Sequence, residues 1–337
     1  HVGTALAQIV AEQLCLDWSN VSIDYPEMDH NTFVKYGGQI TGGSYSVHEM
    51  YGKLSKQAAF ARQLIIEAGA DLMGSEFEDC LADQGHVKDT LYETEISYSE
   101  ILSELVLDYT ITADDLAEAK EIDRSSFKII GKPVKALDIP EKTNGAARFG
   151  IDAYLPNMVY AKLVLPPTRF GSTIETIDQD SAMTMPGFLA AVPLSFPPEA
   201  KSQGFITDVV AVVADSFPNA LRAAKATNVS WNTDPKYLLS TRDLFENAEK
   251  QLLNEDGTDF YKIGEFDNVK SKIELEATYR TGFVAHSPME PASALCHYID
   301  GKLHVYAGVQ GGPLLPFILS QFTGLSPDKI LVYPHLI

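Results

Sequence analysis

The stretch whose reading decides the fold lies late in the chain. It is Phe283-Val284-Ala285-His286-Ser287-Pro288-Met289-Glu290-Pro291, followed by Leu295-Cys296-His297-Tyr298-Ile299, Asp300-Gly301, Leu303-His304-Val305-Tyr306-Ala307 and Val309-Gln310-Gly311-Gly312. The two apolar-rich runs flanking Asp300-Gly301 predict a β-hairpin, because a primed two-residue turn needs positive φ and Asp-Gly supplies it. Leu314 to Phe322 predicts a helix that ends at Gly324, before Ser326-Pro327.

Near the other end, Gly37-Gly38-Gln39-Ile40-Thr41-Gly42-Gly43-Ser44-Tyr45-Ser46 forms a glycine-rich loop leading into a helix over about Val47 to Ala70. A loop that delivers a helix N-terminus suits anions, since free N–H groups and the helix dipole point the same way. Gly42 and Gly43 permit close backbone approach, and Thr41, Ser44 and Ser46 can donate to acidic oxygens.

Between these ends the texture varies. Val2 to Leu16 predicts an amphipathic helix, and Asn20 to Tyr25 alternates like a strand before Pro26. Asp71 to Asp123 is rich in acidic residues and reads as a solvated peripheral segment, with short helices at Tyr98–Leu105 and Thr112–Lys120. From Gly131 onward strand-like runs appear at Ala147–Ile151, Met158–Leu165 and Phe205–Ala214. A helix from Pro218 to Thr227 follows, then Val229-Ser230-Trp231, then an amphipathic helix from Ser240 to Leu253.

Bulk composition narrows the classes. At 337 residues the chain exceeds what one core usually supports. A net charge of −20, from 46 acidic and 26 basic residues, argues against nucleic-acid binding. Cys15, Cys80 and Cys296 form no CxxC pair, which disfavours a zinc or iron–sulfur site held by this chain alone. No run of about eighteen apolar residues exists, so no membrane-spanning helix is expected.

Taken together, Phe283–Pro291, Val309–Gly312 and Gly37–Ser46 resemble the molybdenum-binding subunit of the xanthine oxidase family, in its isoquinoline 1-oxidoreductase beta-subunit and aldehyde dehydrogenase branch. Lys142-Thr143-Asn144-Gly145-Ala146-Ala147-Arg148-Phe149, Met185-Pro186-Gly187-Phe188 and Val210–Asp215 look like that family's α/β hammerhead domain. The resemblance implies an α+β fold: a hammerhead domain plus part of the molybdopterin-binding α+β domain. It implies three parts: residues 1–130, a permuted molybdopterin-binding element with an acidic insert; 131–240, the hammerhead; and 241–337, the start of the main molybdopterin-binding domain. It also implies a fragment, because the family's MGQG-type loop, GGGFG-type loop and catalytic glutamate have no counterpart in the residues from His1 to Ile337.

In function, the resemblance implies hydroxylation of an N-heterocycle with water-derived oxygen, or oxidation of an aldehyde. The cofactor would be molybdopterin with molybdenum, in the cytosine dinucleotide form usual in bacterial relatives. The partners would be a small 2Fe–2S subunit, a c-type cytochrome and a small-molecule substrate. Periplasmic or membrane-associated placement is implied, with the cytoplasm as alternative. Thr41, Gly42, Gly43, Ser44 and Ser46 would hold the cofactor. Gln310 would act catalytically by orienting the metal's apical ligand, a task suited to a neutral amide donor. His286 and Glu290 would border the substrate channel, although a structural salt bridge is an equal reading for Glu290. His297 and His304 could face each other across the hairpin, but no acidic third ligand accompanies them, so packed or exposed histidines are the expectation. Two rivals stand beside this reading: a non-catalytic scaffold without cofactor, and a hydrolase using Ser44 with His48, which lacks a nucleophile elbow.

Overall fold

The computed structural model describes residues 2–24, 31, 34–35, 40–105, 109–195, 207–265, 268, 275, 277–285, 287–288 and 290–336. It consists of two compact units, His1–Ala153 with Met289–Ile337, and Tyr154–Pro288.

The first unit opens with two helices, α1 (Val2–Gln13) and α2 (Ser46–Met73), which pack on each other. The buried face of α2 carries Ser55, Ala58, Ala59 and Arg62, small residues that let the axes approach around one long polar side chain. The helix stops at Gly74, whose left-handed φ of 70° lets its N–H reach the carbonyls of Ala70 and Asp71. The strand expected over Asn20–Tyr25 does not form. Val21 and Ile23 are half-buried while Ser22 and Asp24 are exposed, so the alternation is present without a partner strand among the described residues. Val21 and Ile23 instead line an apolar groove with Leu6 and Val10 of α1 and Met50 and Leu54 of α2. Tyr25 lies outside the described residues.

The acidic stretch is not a solvated periphery. It builds an antiparallel meander of β1 (Cys80–Asp83), β2 (His86–Asp89) and β3 (Glu95–Ser97), in the order β1-β2-β3. Val87 is fully buried against Ile65 and Ile66 of α2, together with Tyr98 and Ile101 of α3 (Tyr98–Glu104). Burying a side chain such as Val87 or Ile101 contributes about 2 kcal/mol each. Reciprocal capping boxes start α3 (Ser97 with Glu100) and α4, Ala113–Glu118 (Thr112 with Asp115).

Buried polar groups bind the following segment to α1. The Glu12 carboxylate accepts the N–H groups of Lys128, Ile129 and Ile130 at 2.8, 2.7 and 2.7 Å. The Arg62 guanidinium donates to the carbonyls of Gln13 (2.6 Å) and Lys120 (2.5 Å), while the N–H of Ile122 donates to Gln13 Oε1 at 2.9 Å. A short helix α5 (Ile139–Asn144) ends at Gly145. The strand expected over Ala147–Ile151 reduces to one parallel bridge between Phe149 and Leu336, followed by a turn at Gly150–Asp152. The Asp152 carboxylate accepts the Phe149 N–H at 3.0 Å, a local bond that diverts the backbone from strand pairing.

The second unit holds a three-stranded antiparallel sheet, ordered β4-β7-β6, and a two-stranded ribbon, β5-β8. In chain order these are β4 (Tyr160–Val164), β5 (Ser172–Asp178), a single turn α6 (Asp180–Met183), β6 (Phe188–Leu194), β7 (Val209–Ala214), α7 (Phe217–Ala226) and β8 (Asn228–Thr233). The near-continuous apolar run of β7 reflects its central position. Val210 and Val212 are fully buried with Ala182 and Ala223 of the two helices, flanked by Ile174, Ile177 and Trp231 of the ribbon. Phe205, at the head of the expected strand, lies outside the described residues. The chain continues into the expected amphipathic helix, α8 (Thr241–Asn254), which Ser240 caps in a reciprocal box with Asp243.

Returning to the first unit, β9 (Ala294–Ile299) and β10 (Lys302–Ala307) form the expected hairpin, with Asp300 at φ 50° and Gly301 at φ 75°. From β10 the chain passes through α9 (Leu315–Thr323) and returns as β11 (Ile330–Pro334), parallel to β10. Leu303, Val305, Ala307 and Ile330 pack under α9 through Leu319. The architecture is α+β, with small separate sheets and helices on their faces. Among the described residues no helix is long and apolar enough to cross a membrane.

Candidate functional site

The glycine-rich loop and the Gln310 turn meet. The Thr41 N–H donates to the Gln310 carbonyl oxygen at 2.8 Å, and a Cβ on Gly311 would lie 3.8 Å from Ile40 Cγ1. Gly312 and Pro313 are buried beneath this contact, which anchors the turn where β10 gives way to α9. Gln310 itself is exposed, as are Thr41, Gly42, Gly43 and Ser44, and Ser46 is half-buried. Five sequence-selected residues thus line one solvent-facing rim, with Gln310 beside them.

The loop's backbone is unusual. Gly43 (φ 60°) and Ser44 (φ 59°) are consecutive left-handed residues. A serine in that region costs about 1–2 kcal/mol, and such strain concentrates where a loop must hold a particular shape. The Tyr45 N–H closes the turn on the Gly42 carbonyl at 3.2 Å, and Tyr45 occupies the N-cap of α2 without a side-chain capping bond. The first-turn N–H groups of a helix have no intrahelical acceptors. Their dipole and the hydroxyls of Thr41, Ser44 and Ser46 make a donor set that fits a phosphate or an acidic heterocycle. Gly42, where an added Cβ would meet only Ile40 Cγ2 at 3.8 Å, keeps the backbone approachable there. The chain's own residues therefore fit an anionic, pterin-type group.

Glu290 is half-buried and engaged at close range: its Oε1 accepts the Ile151 N–H at 2.8 Å and the Ser293 hydroxyl at 3.1 Å. A Cβ on Gly150 would lie 3.3 Å from the same oxygen, so the turn and the carboxylate are fitted together. His286 and Met289 lie outside the described residues, as do Gly37, Gly38 and Gln39. His297 and His304 do face each other across the hairpin, with ring centroids 6.4 Å apart. His304 Nδ1 lies 2.9 Å from the Tyr333 hydroxyl, and Tyr333 stacks on Tyr306 at 4.5 Å. Among the described residues no group of three or more metal-ligating side chains exists. The rings of Tyr45 and His48 lie 6.5 Å apart at the head of α2. Sequence reasoning passed over Tyr45, whose signal was its place two residues after Gly43. Burial raises the Cys15 thiol above its ordinary range, so it rests as a neutral packed group.

No family model matches the chain. Individual relatives do. It is 30% identical over its whole length to "Membrane-bound aldehyde dehydrogenase [pyrroloquinoline-quinone]" of Gluconacetobacter polyoxogenes, covering 43% of that protein. It is 24% identical over 99% of its length to isoquinoline 1-oxidoreductase subunit beta of Brevundimonas diminuta, covering 46% of it. Over 55% of its length it is 26% identical to the aldehyde oxidoreductase molybdenum-binding subunit PaoC of Escherichia coli K12, covering 27% of that protein. The chain spans less than half the length of each of these relatives.

This α+β chain with its glycine-rich rim is matched along its length by redox enzymes. More narrowly, the chain is homologous to the molybdenum-binding subunits of the xanthine oxidase family.

Proposed function

We propose that this chain supplies two cofactor-holding turns of a molybdenum hydroxylase that oxidises aldehydes or N-heterocycles. The observation that carries the proposal is the bond between the Thr41 N–H and the Gln310 carbonyl, which sets an anion-seeking loop beside an exposed amide side chain. Thr41, Ser44 and Ser46 would donate to the cofactor's oxygens, Gly42 would let the backbone approach while Gly43 supplies the left-handed turn, and Gln310 would orient the reacting end. When bound, the molybdenum and its pterin supply the two-electron redox chemistry and activate water. The substrate class is supported by the names of the aldehyde and isoquinoline enzymes among the relatives. Electrons would pass to a 2Fe–2S partner subunit and on to a c-type cytochrome, and the cytosine dinucleotide form of the pterin completes the proposal. His286 and Glu290 would border the substrate path, with Glu290 also bracing the Gly150 turn.

One observation favours a second reading: the name of the Gluconacetobacter relative assigns it pyrroloquinoline quinone. Elemental analysis of the native purified protein, with oxidative release of bound cofactor, separates the two. Stoichiometric molybdenum with a fluorescent pterin supports the proposal. A quinone without molybdenum establishes the second reading, and neither cofactor leaves a scaffold.

A further inference from the structure

Tyr45 stands at the point where the loop becomes α2, and its side chain folds back on the loop. A Cβ at Gly43 would come within 2.9 Å of Tyr45 Cδ2 and 3.4 Å of Cε2, so the edge of the ring rests against the glycine backbone. The Tyr45 backbone is held on both sides, its N–H bonded to the Gly42 carbonyl at 3.2 Å and its carbonyl accepting the Glu49 N–H at 2.8 Å. These bonds fix the point from which the ring projects. It is nonetheless 62% exposed, so burial in a core does not account for its position. What it touches is the first of two consecutive left-handed residues, and glycine on its own visits both signs of φ with equal ease.

We propose that Tyr45 is a positioning residue: its ring, packed edge-on against Gly43, holds the Gly43–Ser44 pair in the conformation that presents the loop's donors to the cofactor. The inference rests on the cofactor reading given above and extends it to a residue outside the glycine-rich donor set. The ring acts through the backbone it covers, so the phenol oxygen is dispensable and the aromatic ring is not. A loop held in its bound shape before the ligand arrives loses less freedom on binding.

The test uses the full chain as natively purified, with Tyr45→Phe, Tyr45→Ala and Gly43→Val variants. Two quantities are read: amide hydrogen exchange over residues 41–47, and pterin released per chain. Far-ultraviolet circular dichroism verifies that each variant is folded. The proposal expects Tyr45→Ala to exchange about tenfold faster across the loop and to retain about a tenth of the pterin, with Tyr45→Phe unchanged in both. Tyr45→Ala with unaltered exchange, or with faster exchange and full pterin content, overturns the positioning role. Full pterin content in Gly43→Val instead overturns the cofactor reading beneath it, because that substitution places a branched side chain into the tyrosine ring at a left-handed position. Tyr45→Phe behaving like Tyr45→Ala would assign the effect to the hydroxyl and also overturn the proposal.

Discussion

The main-chain N–H of Thr41 donates to the main-chain carbonyl of Gln310 at 2.8 Å, joining the loop ahead of α2 to the turn after β10. Because both partners are backbone atoms, side-chain chemistry at position 310 can be altered without breaking the junction. Gln310→Ala is expected to leave stability within about 0.5 kcal/mol of wild type, as for other exposed sites. Turnover should fall at least about tenfold, as when one oriented donor is removed from a reacting centre. Urea unfolding and steady-state kinetics of the native enzyme measure the two effects.

Glu12→Ala should destabilise the first unit by roughly 2–4 kcal/mol, because three N–H groups, that of buried Ile129 among them, lose a charged acceptor together. Those donors belong to Lys128, Ile129 and Ile130. Chemical denaturation reports the loss, and faster hydrogen exchange at those amides would locate it.

Two glycines with similar backbone angles should respond differently to alanine. Gly187 (φ 71°) would place a Cβ 2.1 Å from Asp215 Oδ1, whereas Gly145 (φ 81°) has nothing within 4 Å. Gly145→Ala should cost about 1 kcal/mol from backbone strain alone, and Gly187→Ala clearly more than about 2 kcal/mol. Thermal unfolding of the two variants side by side tests the difference.

The carboxyl of Asp83 is held below its ordinary range by hydrogen bonds from Lys128 (2.9 Å) and Lys88 (3.0 Å), and by their charges. A carboxylate with a depressed folded-state value stabilises the protein above its unfolded-state value and loses that contribution as pH falls through the folded one. Asp83 is partly exposed, so the contribution is less than about 1 kcal/mol at neutral pH and weakens with salt. Asp83→Asn should flatten the loss of stability between about pH 5 and pH 2 relative to wild type, as followed by denaturation at stepped pH.

Much of this fold could be read from local signals. Asp300-Gly301 announced the hairpin, Gly324 the end of α9, and the amphipathic pattern from Ser240 to Leu253 announced α8. Each is a case in which local backbone chemistry and tertiary structure agree. The meander of β1 to β3 was missed because its strands are three or four residues long and carry Asp83, Lys88 and Glu95 beside the single fully buried Val87. The alternation at Val21–Asp24 marks a half-buried segment and not a strand, since period two reports one buried side and not what covers it. At the candidate site, residue types in Gly42–Ser46 and at Gln310 were legible. Their bond through Thr41 was not, because it depends on long-range geometry that no spacing encodes, and the ring of Tyr45 against Gly43 was not, because residue type alone does not give a side chain's orientation.

The most direct measurement is anomalous X-ray scattering at the molybdenum edge from crystals of the native protein. The account predicts a single strong peak beside the Gln310 side chain, with the Thr41–Ser46 loop around the attached pterin. A molybdenum peak on another part of the molecule, with that rim open to solvent, would contradict it.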